Sequence, residues 1–266
     1  MILRMLDCET VGNRRFWNQL EHPNQELRVC LAFNSKLTHT ITSEVVRTCV
    51  RKQIALCPIN DTRLLLIPPD GASESDQIRN THDKIRRFEV QKLIRSLRSC
   101  PQGRQGWRKY EDICEEIFRL LFVPPLDEPF VQPVTIDQIK RRDLIFANRA
   151  TGGFWRTEVH TRYKGEYVLV ECKNLKQNVS AKELQQALDY LIPATGIGLF
   201  GIVLTRTPLD SQARRLQNAE WTRSPHKMLV ALQDRQLRQM LDAYLTGGSS
   251  ARIIQDGIDA IRTGVV

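Results

Sequence analysis

The chain has no apolar run long enough to span a bilayer, and its first ten residues, MILRMLDCET, are interrupted by Arg4, Asp7 and Glu9. A secretory leader and a membrane-spanning helix are therefore not expected, and a cytoplasmic protein is. Seven cysteines (Cys8, Cys30, Cys49, Cys57, Cys100, Cys114, Cys172) are odd in number and nowhere form C-x-x-C, which argues against a disulfide framework and against a zinc site. Five histidines are scattered, with no two at ligand spacing. Internal repeats and low-complexity tracts are also lacking.

What is present is an ordinary globular composition: 266 residues, 41% hydrophobic and 26% charged, enough for one large domain or two modest ones. A net charge of +9 and a pI near 9.4 point to a polyanionic partner, nucleic acid ahead of an anionic membrane surface. The excess is uneven. Residues 1–100 hold 16 Lys and Arg against 11 Asp and Glu, whereas residues 101–200 hold 14 against 13. A nucleic-acid enzyme that holds metal ions has reason to gather acids at its chemistry and set bases around it.

Pro101, Gly103 and Gly106 in SCPQGRQG (99–106) separate two helical patterns, so a boundary is expected there, with an N-terminal domain at 1–100 and a second domain at 101–266. In the first, Ser43 stands as an N-cap ahead of Val46, Cys49 and Val50; residues 62–71 read as a strand entering a turn. Residues 75–98 read as a helix interleaved with cations, among them Arg86, Arg87 and Arg95, which are candidates to face a phosphate backbone. In the second, WRKYEDICEEIFRLLF (107–122) is an amphipathic helix. DLIF follows as a short strand begun by Asp143, then a connecting helix or arm at 154–167, the strand VLVECKN (168–174), and a helix at 180–193 with Ser180 and Glu183 as a capping box. GLFGIVLTR and KMLVAL are further strands, with helices between and after them. The order predicts an α/β sandwich around a central sheet, with a smaller N-terminal domain, α/β or helical.

In an extended chain, side chains two positions apart share a face about 6–7 Å apart. Glu171 and Lys173 therefore look into one space, and Cys172 points back toward the core. Adjacent strands lie under about 5 Å apart, so Asp143 at the start of one and Glu171 at the end of another can converge. Two such carboxylates repel unless a cation lies between them, and Mg²⁺ takes one or two carboxylates plus water and phosphate. An ammonium alongside can orient a water or neutralise charge developing on phosphate.

At these residues the chain resembles the PD-(D/E)xK nuclease superfamily. The similarity runs over about residues 105–245, through Glu111 in the leading helix, RRD (141–143), ECKN (171–174), Gln186-x-x-x-Tyr190 in the following helix, and the GLFGIVLTR strand. The resemblance implies a restriction-endonuclease-like fold, a central mixed sheet flanked by helices. It implies Asp143, Glu171 and the backbone carbonyl of Cys172 as ligands of Mg²⁺, for which Mn²⁺ substitutes. It gives Lys173 the role of acting on the nucleophilic water and Glu111 that of an auxiliary acid, with Glu115 and Glu116 as alternatives to Glu111. Gln186 and Tyr190 match the Q-x-x-x-Y helix of the RecB-like and Mrr-like branches, which packs beside the site. Arg142 stands where the motif often has proline. The function expected is a metal-dependent DNA endonuclease of restriction or defence type. The alternatives are a nuclease subunit of a transposition or repair complex, silent without its partner, and a non-catalytic module that inherited the fold. The partners expected are DNA, a protein of such a complex and a second copy of the chain, with no membrane.

Overall fold

The computed structural model describes residues 2–6, 29–33, 43–52, 54–58, 73–133 and 142–264. The strand expected at 62–71 lies outside them. The chain divides into two units, Met1–Lys92 and Leu93–Val266.

The first unit is α/β. Its strands β1 (Ile2–Leu6), β2 (Val29–Phe33) and β3 (Ala55–Pro58) form a parallel sheet with β2 in the centre. Parallel neighbours need a crossover, and helix α1 (Ser43–Arg51) lies in the one between β2 and β3. Val45, Val46, Cys49 and Val50 are its buried stripe, at helical spacing. Helix α2 (Glu74–Ser99) runs across the division between the units. Along it Ile85, Val90, Leu93 and Leu97 are buried, Arg87 and Arg95 are exposed, and Arg86 is half-buried.

The second unit is a five-stranded mixed sheet between helices. After a 3₁₀ turn at Arg104–Gly106 comes α3 (Trp107–Phe122), then β4 (Phe130–Val131), β5 (Leu144–Ala147), a π-type helix at Trp155–Arg162 and β6 (Tyr167–Lys173). Helix α4 (Ala181–Leu188), β7 (Phe200–Thr205), α5 (Ser211–Thr222), β8 (Met228–Gln233), α6 (Asp234–Leu245) and α7 (Ala251–Thr263) follow. The strands lie in chain order; β4, β5 and β6 pair antiparallel, and β6, β7 and β8 pair parallel. The sheet thus changes pairing at β6. On one face Ile145, Leu169, Val203 and Leu229 pack with Leu184, Ala187 and Leu188 of α4 and Ala213 of α5. On the other, Phe146 meets Phe118 of α3, ring centroids 6.0 Å apart.

Two expectations about local structure need correcting. Asp143 does not begin β5; it lies in a bend one residue ahead of it. Helix α4 ends at Leu188, so Gln186 is on it while Tyr190 is in the turn beyond. Tyr190 and Leu191 donate to the carbonyls three residues back, tightening the last turn, and Ile192 ahead of Pro193 is extended, at φ −130°. The capping box is as expected, Glu183 Oε2 accepting from the Ser180 amide at 2.7 Å and its hydroxyl at 2.8 Å.

Candidate functional site

The alternation along β6 sorts the side chains of VLVECK. Val168, Val170 and Cys172 point toward α3, where the Cys172 thiol hydrogen-bonds that of Cys114; this contact and burial raise the Cys172 pKa well above the ordinary thiol range. Tyr167, Leu169, Glu171 and Lys173 point toward the α4 face. In the β5–β6 register Leu144 stands opposite Val170, so the next step outward sets Asp143 across from Glu171. Asp143 Oδ2 accepts the Cys172 amide at 2.7 Å, which locks its carboxylate against β6. Lys173 Nζ is 3.6 Å from Glu171 Oε2, with 17% of the lysine side chain and 5% of the glutamate side chain exposed. Asp143, Glu171 and Lys173 are thus brought together.

Glu111 joins them through a residue that periodicity did not single out. Gln132 Nε2 donates to Glu111 Oε2 at 2.9 Å, and the Gln132 amide donates to the Asp143 carbonyl at 2.8 Å. Gln132 holds this bridging position with a left-handed backbone, φ 52°, in the bend after β4. Of the alternative acids, Glu115 pairs at 3.1 Å with Arg119, which also pairs with Glu128. Glu116 lies on the same helix, with no hydrogen bond to Gln132. Asp127 pairs with Arg149 at 3.0 Å, and Asp137 is outside the described residues.

Tyr190 reaches the cluster from the turn after α4. Its phenol is raised above the usual range by burial, then by the Glu171 carboxylate, against the pull of Arg142. The Arg142 guanidinium lies over its ring, 5.2 Å from the centroid. Gln186 is exposed, and no hydrogen bond ties it to the three central residues.

Electrostatically the centre of the site is Glu171. Burial and the Asp143 carboxylate push its pKa to about 8 against the opposing effect of Lys173, and Oε1 is buried without a hydrogen-bond partner. Burial and a neighbouring like charge both favour the protonated form of Glu171. The native protein therefore keeps a proton that the unfolded chain has released above about pH 4.5, and stability falls as pH rises from there to about 8. Replacing Glu171 by Gln is expected to flatten that slope. In EDTA the variant should match wild type near pH 5 and exceed it near pH 8 by roughly a few kcal/mol. Thermal unfolding curves that stay parallel across this range would remove the buried proton from the site.

Asn174, the last residue of ECKN, has a structural task that its place in the motif did not announce. Its Nδ2 donates to the carbonyls of Pro101, at 2.9 Å, and Gly103, at 3.1 Å, and its own carbonyl accepts from the Gly103 amide at 3.0 Å. The loop before α3 is thereby pinned to the end of β6. Gly106 completes the fit, since a Cβ there would lie 2.0 Å from the Pro101 carbonyl oxygen. Asn174→Ala is expected to cost roughly 1–3 kcal/mol and to open the exposed Arg104 to trypsin. Digestion at the wild-type rate would argue that other contacts hold the loop. Beyond β7, Arg206 Nε lies 2.6 Å from Asp234 Oδ2, off the line of its N–H, and Arg206 also donates to the Cys100 carbonyl at 3.0 Å. Asp234 further accepts from the Tyr110 hydroxyl at 3.2 Å. This linkage ties α6 to the start of α3.

Among the described residues no group of three or more His, Cys, Asp and Glu side chains gathers to hold a metal ion. The donor set here is two carboxylates, with one buried oxygen unpartnered, which suits a hard cation completing its shell with water and phosphate. The molecule is therefore an α/β protein whose mixed sheet, flanked by helices, presents two acids and a lysine at the junction of its antiparallel and parallel halves. No family model matches the chain. It is 24% identical over 193 residues, 69% of its length, to the "Putative transposon gamma-delta 80.3 kDa protein" of Escherichia coli (strain K12). The match covers 26% of that relative. No described helix is long and apolar enough to cross a membrane.

Proposed function

We propose that the protein is a metal-dependent phosphodiesterase acting on DNA, an endonuclease of the PD-(D/E)xK kind with a restriction-endonuclease-like nuclease domain, working in the cytoplasm. The observation that carries this is the junction itself: Asp143 held by the Cys172 amide across from a buried Glu171, with Lys173 3.6 Å from that glutamate. A buried acid facing a second acid has no structural use that an apolar pair would not serve better. Asp143, Glu171 and the Cys172 carbonyl would hold Mg²⁺ or Mn²⁺, which supplies Lewis acidity for the phosphate and a lowered pKa for a bound water. Lys173 orients the attacking water or offsets charge developing on the phosphate, and Glu111 acts through Gln132 to fix the chain around Asp143. Arg87 and Arg95, exposed on α2, and Arg86 beside Arg87 give that helix cations for a phosphate backbone.

The test is incubation of the purified chain with supercoiled, linear and single-stranded DNA in Mg²⁺, in Mn²⁺ and in EDTA. Cleavage confined to the metal-containing reactions is the expected result. A second reading, favoured by the transposon-associated relative, makes the chain the cutting component of a transposition complex. Inactivity alone, restored by a partner, distinguishes it.

A further inference from the structure

We propose that Arg142, held over the Tyr190 ring, is a phosphate-binding residue that admits the nucleic-acid backbone to the acid pair. This rests on the nuclease reading and adds to it a contact made by a residue in which this sequence departs from the motif. The guanidinium lies 5.2 Å from the Tyr190 ring centroid, Nε is buried without a hydrogen-bond partner, and the Arg142 amide donates to the Pro133 carbonyl at 3.2 Å. Backbone and ring together fix where the side chain goes. Among the described residues Arg142 forms no ion pair, although Asp143 is its neighbour in sequence and Tyr190 senses both Asp143 and Glu171. A half-buried cation next to Asp143 that forms no ion pair with a described acid is placed to meet another anion.

The anion's chemistry follows from the setting. A diester phosphate approaching two carboxylates is repelled, so a fixed cation at the approach lowers the barrier to entry. Guanidinium suits the role because it can lie over a ring and still offer N–H groups whose fork matches two phosphate oxygens. An ammonium has no such fork. The Tyr190 ring then acts as a platform for the guanidinium.

The experiment measures binding of a fluorescent DNA duplex by anisotropy across a salt series in Ca²⁺, with cleavage kinetics in Mg²⁺ on the same proteins. Arg142→Gln is expected to weaken binding about tenfold and to reduce the slope of log affinity against log salt by about one. KM should rise more than kcat falls. Tyr190→Ala should follow Arg142→Gln, and Arg142→Lys should recover part of the affinity, with thermal unfolding reported for each. Wild-type affinity and salt slope in both Arg142→Gln and Arg142→Lys would overturn the proposal and leave Arg142 as a brace for the chain entering β5. If the wild-type protein cuts no DNA with either metal, alone or with its partner, the nuclease reading itself fails. If it cuts while the Arg142 variants bind unchanged, only the phosphate contact fails.

Discussion

Asp143→Asn is expected to reduce cleavage by at least about three orders of magnitude while the fold is kept. The two obvious substitutions separate two roles of one side chain. Asp143 Oδ2 accepts the Cys172 amide, and Asn keeps an acceptor there while losing the charge. Ala loses both, leaving a partly buried N–H without a partner at a cost of roughly 1–3 kcal/mol. Part of that cost is returned, because Glu171 no longer faces a second carboxylate. Both variants should lose cleavage and only Ala should lose stability, while DNA affinity in Ca²⁺ stays within a few-fold of wild type. Near-normal cleavage by Asp143→Asn would remove this acid from the chemistry and direct attention to Asp127 or Asp137.

Lys173→Ala should collapse cleavage by about two to three orders of magnitude, the range for losing one preorganised group aimed at developing charge. Divalent-metal binding, followed by calorimetry near pH 8.5, should persist or tighten, because a positive charge has been taken from beside two acids. Lys173→Arg should be no gentle exchange, since guanidinium is planar and does not give up its proton. A purely structural Lys173–Glu171 pair predicts the reverse, altered stability with unaltered cleavage. Cleavage near wild type in both variants would refute the site as drawn.

Much of the second unit was legible because its elements advertise themselves by period. The stripe of α3, the apolar run of β7 and the Ser180–Glu183 cap each declare a boundary or a face within a few residues. The two-position rule placed Glu171 with Lys173 and turned Cys172 to the core, and the paired strands then bring Asp143 across from Glu171. What period cannot supply is contact between residues far apart in sequence but adjacent in space. Gln132 follows a two-residue strand too short to show alternation, and its importance lies in bonds to residues 21 positions before it and 11 after it. Asn174 looked like the end of a motif, yet it fastens a loop more than 70 positions upstream. Tyr190 fell within the helix expected over 180–193, which ends at Leu188 instead, ahead of the extended residue before Pro193.

The change of pairing at β6 also frees part of the chain from any fixed length. Because β5 runs against β6, Asp143 enters the site from the open end of a hairpin whose other limb delivers Glu171. The 27 residues between them leave together and return together. Asn148, bonded to the carbonyls of Trp155 and Gly165, ties that excursion shut near the sheet, and Thr151, Gly152 and Gly153 lie exposed beyond it, with open space around both glycines. Added or deleted residues at this tip would shift neither acid. Length can vary at this tip alone, since Trp155, Val159 and Tyr163 behind it are buried and hold the rest of the excursion against the sheet.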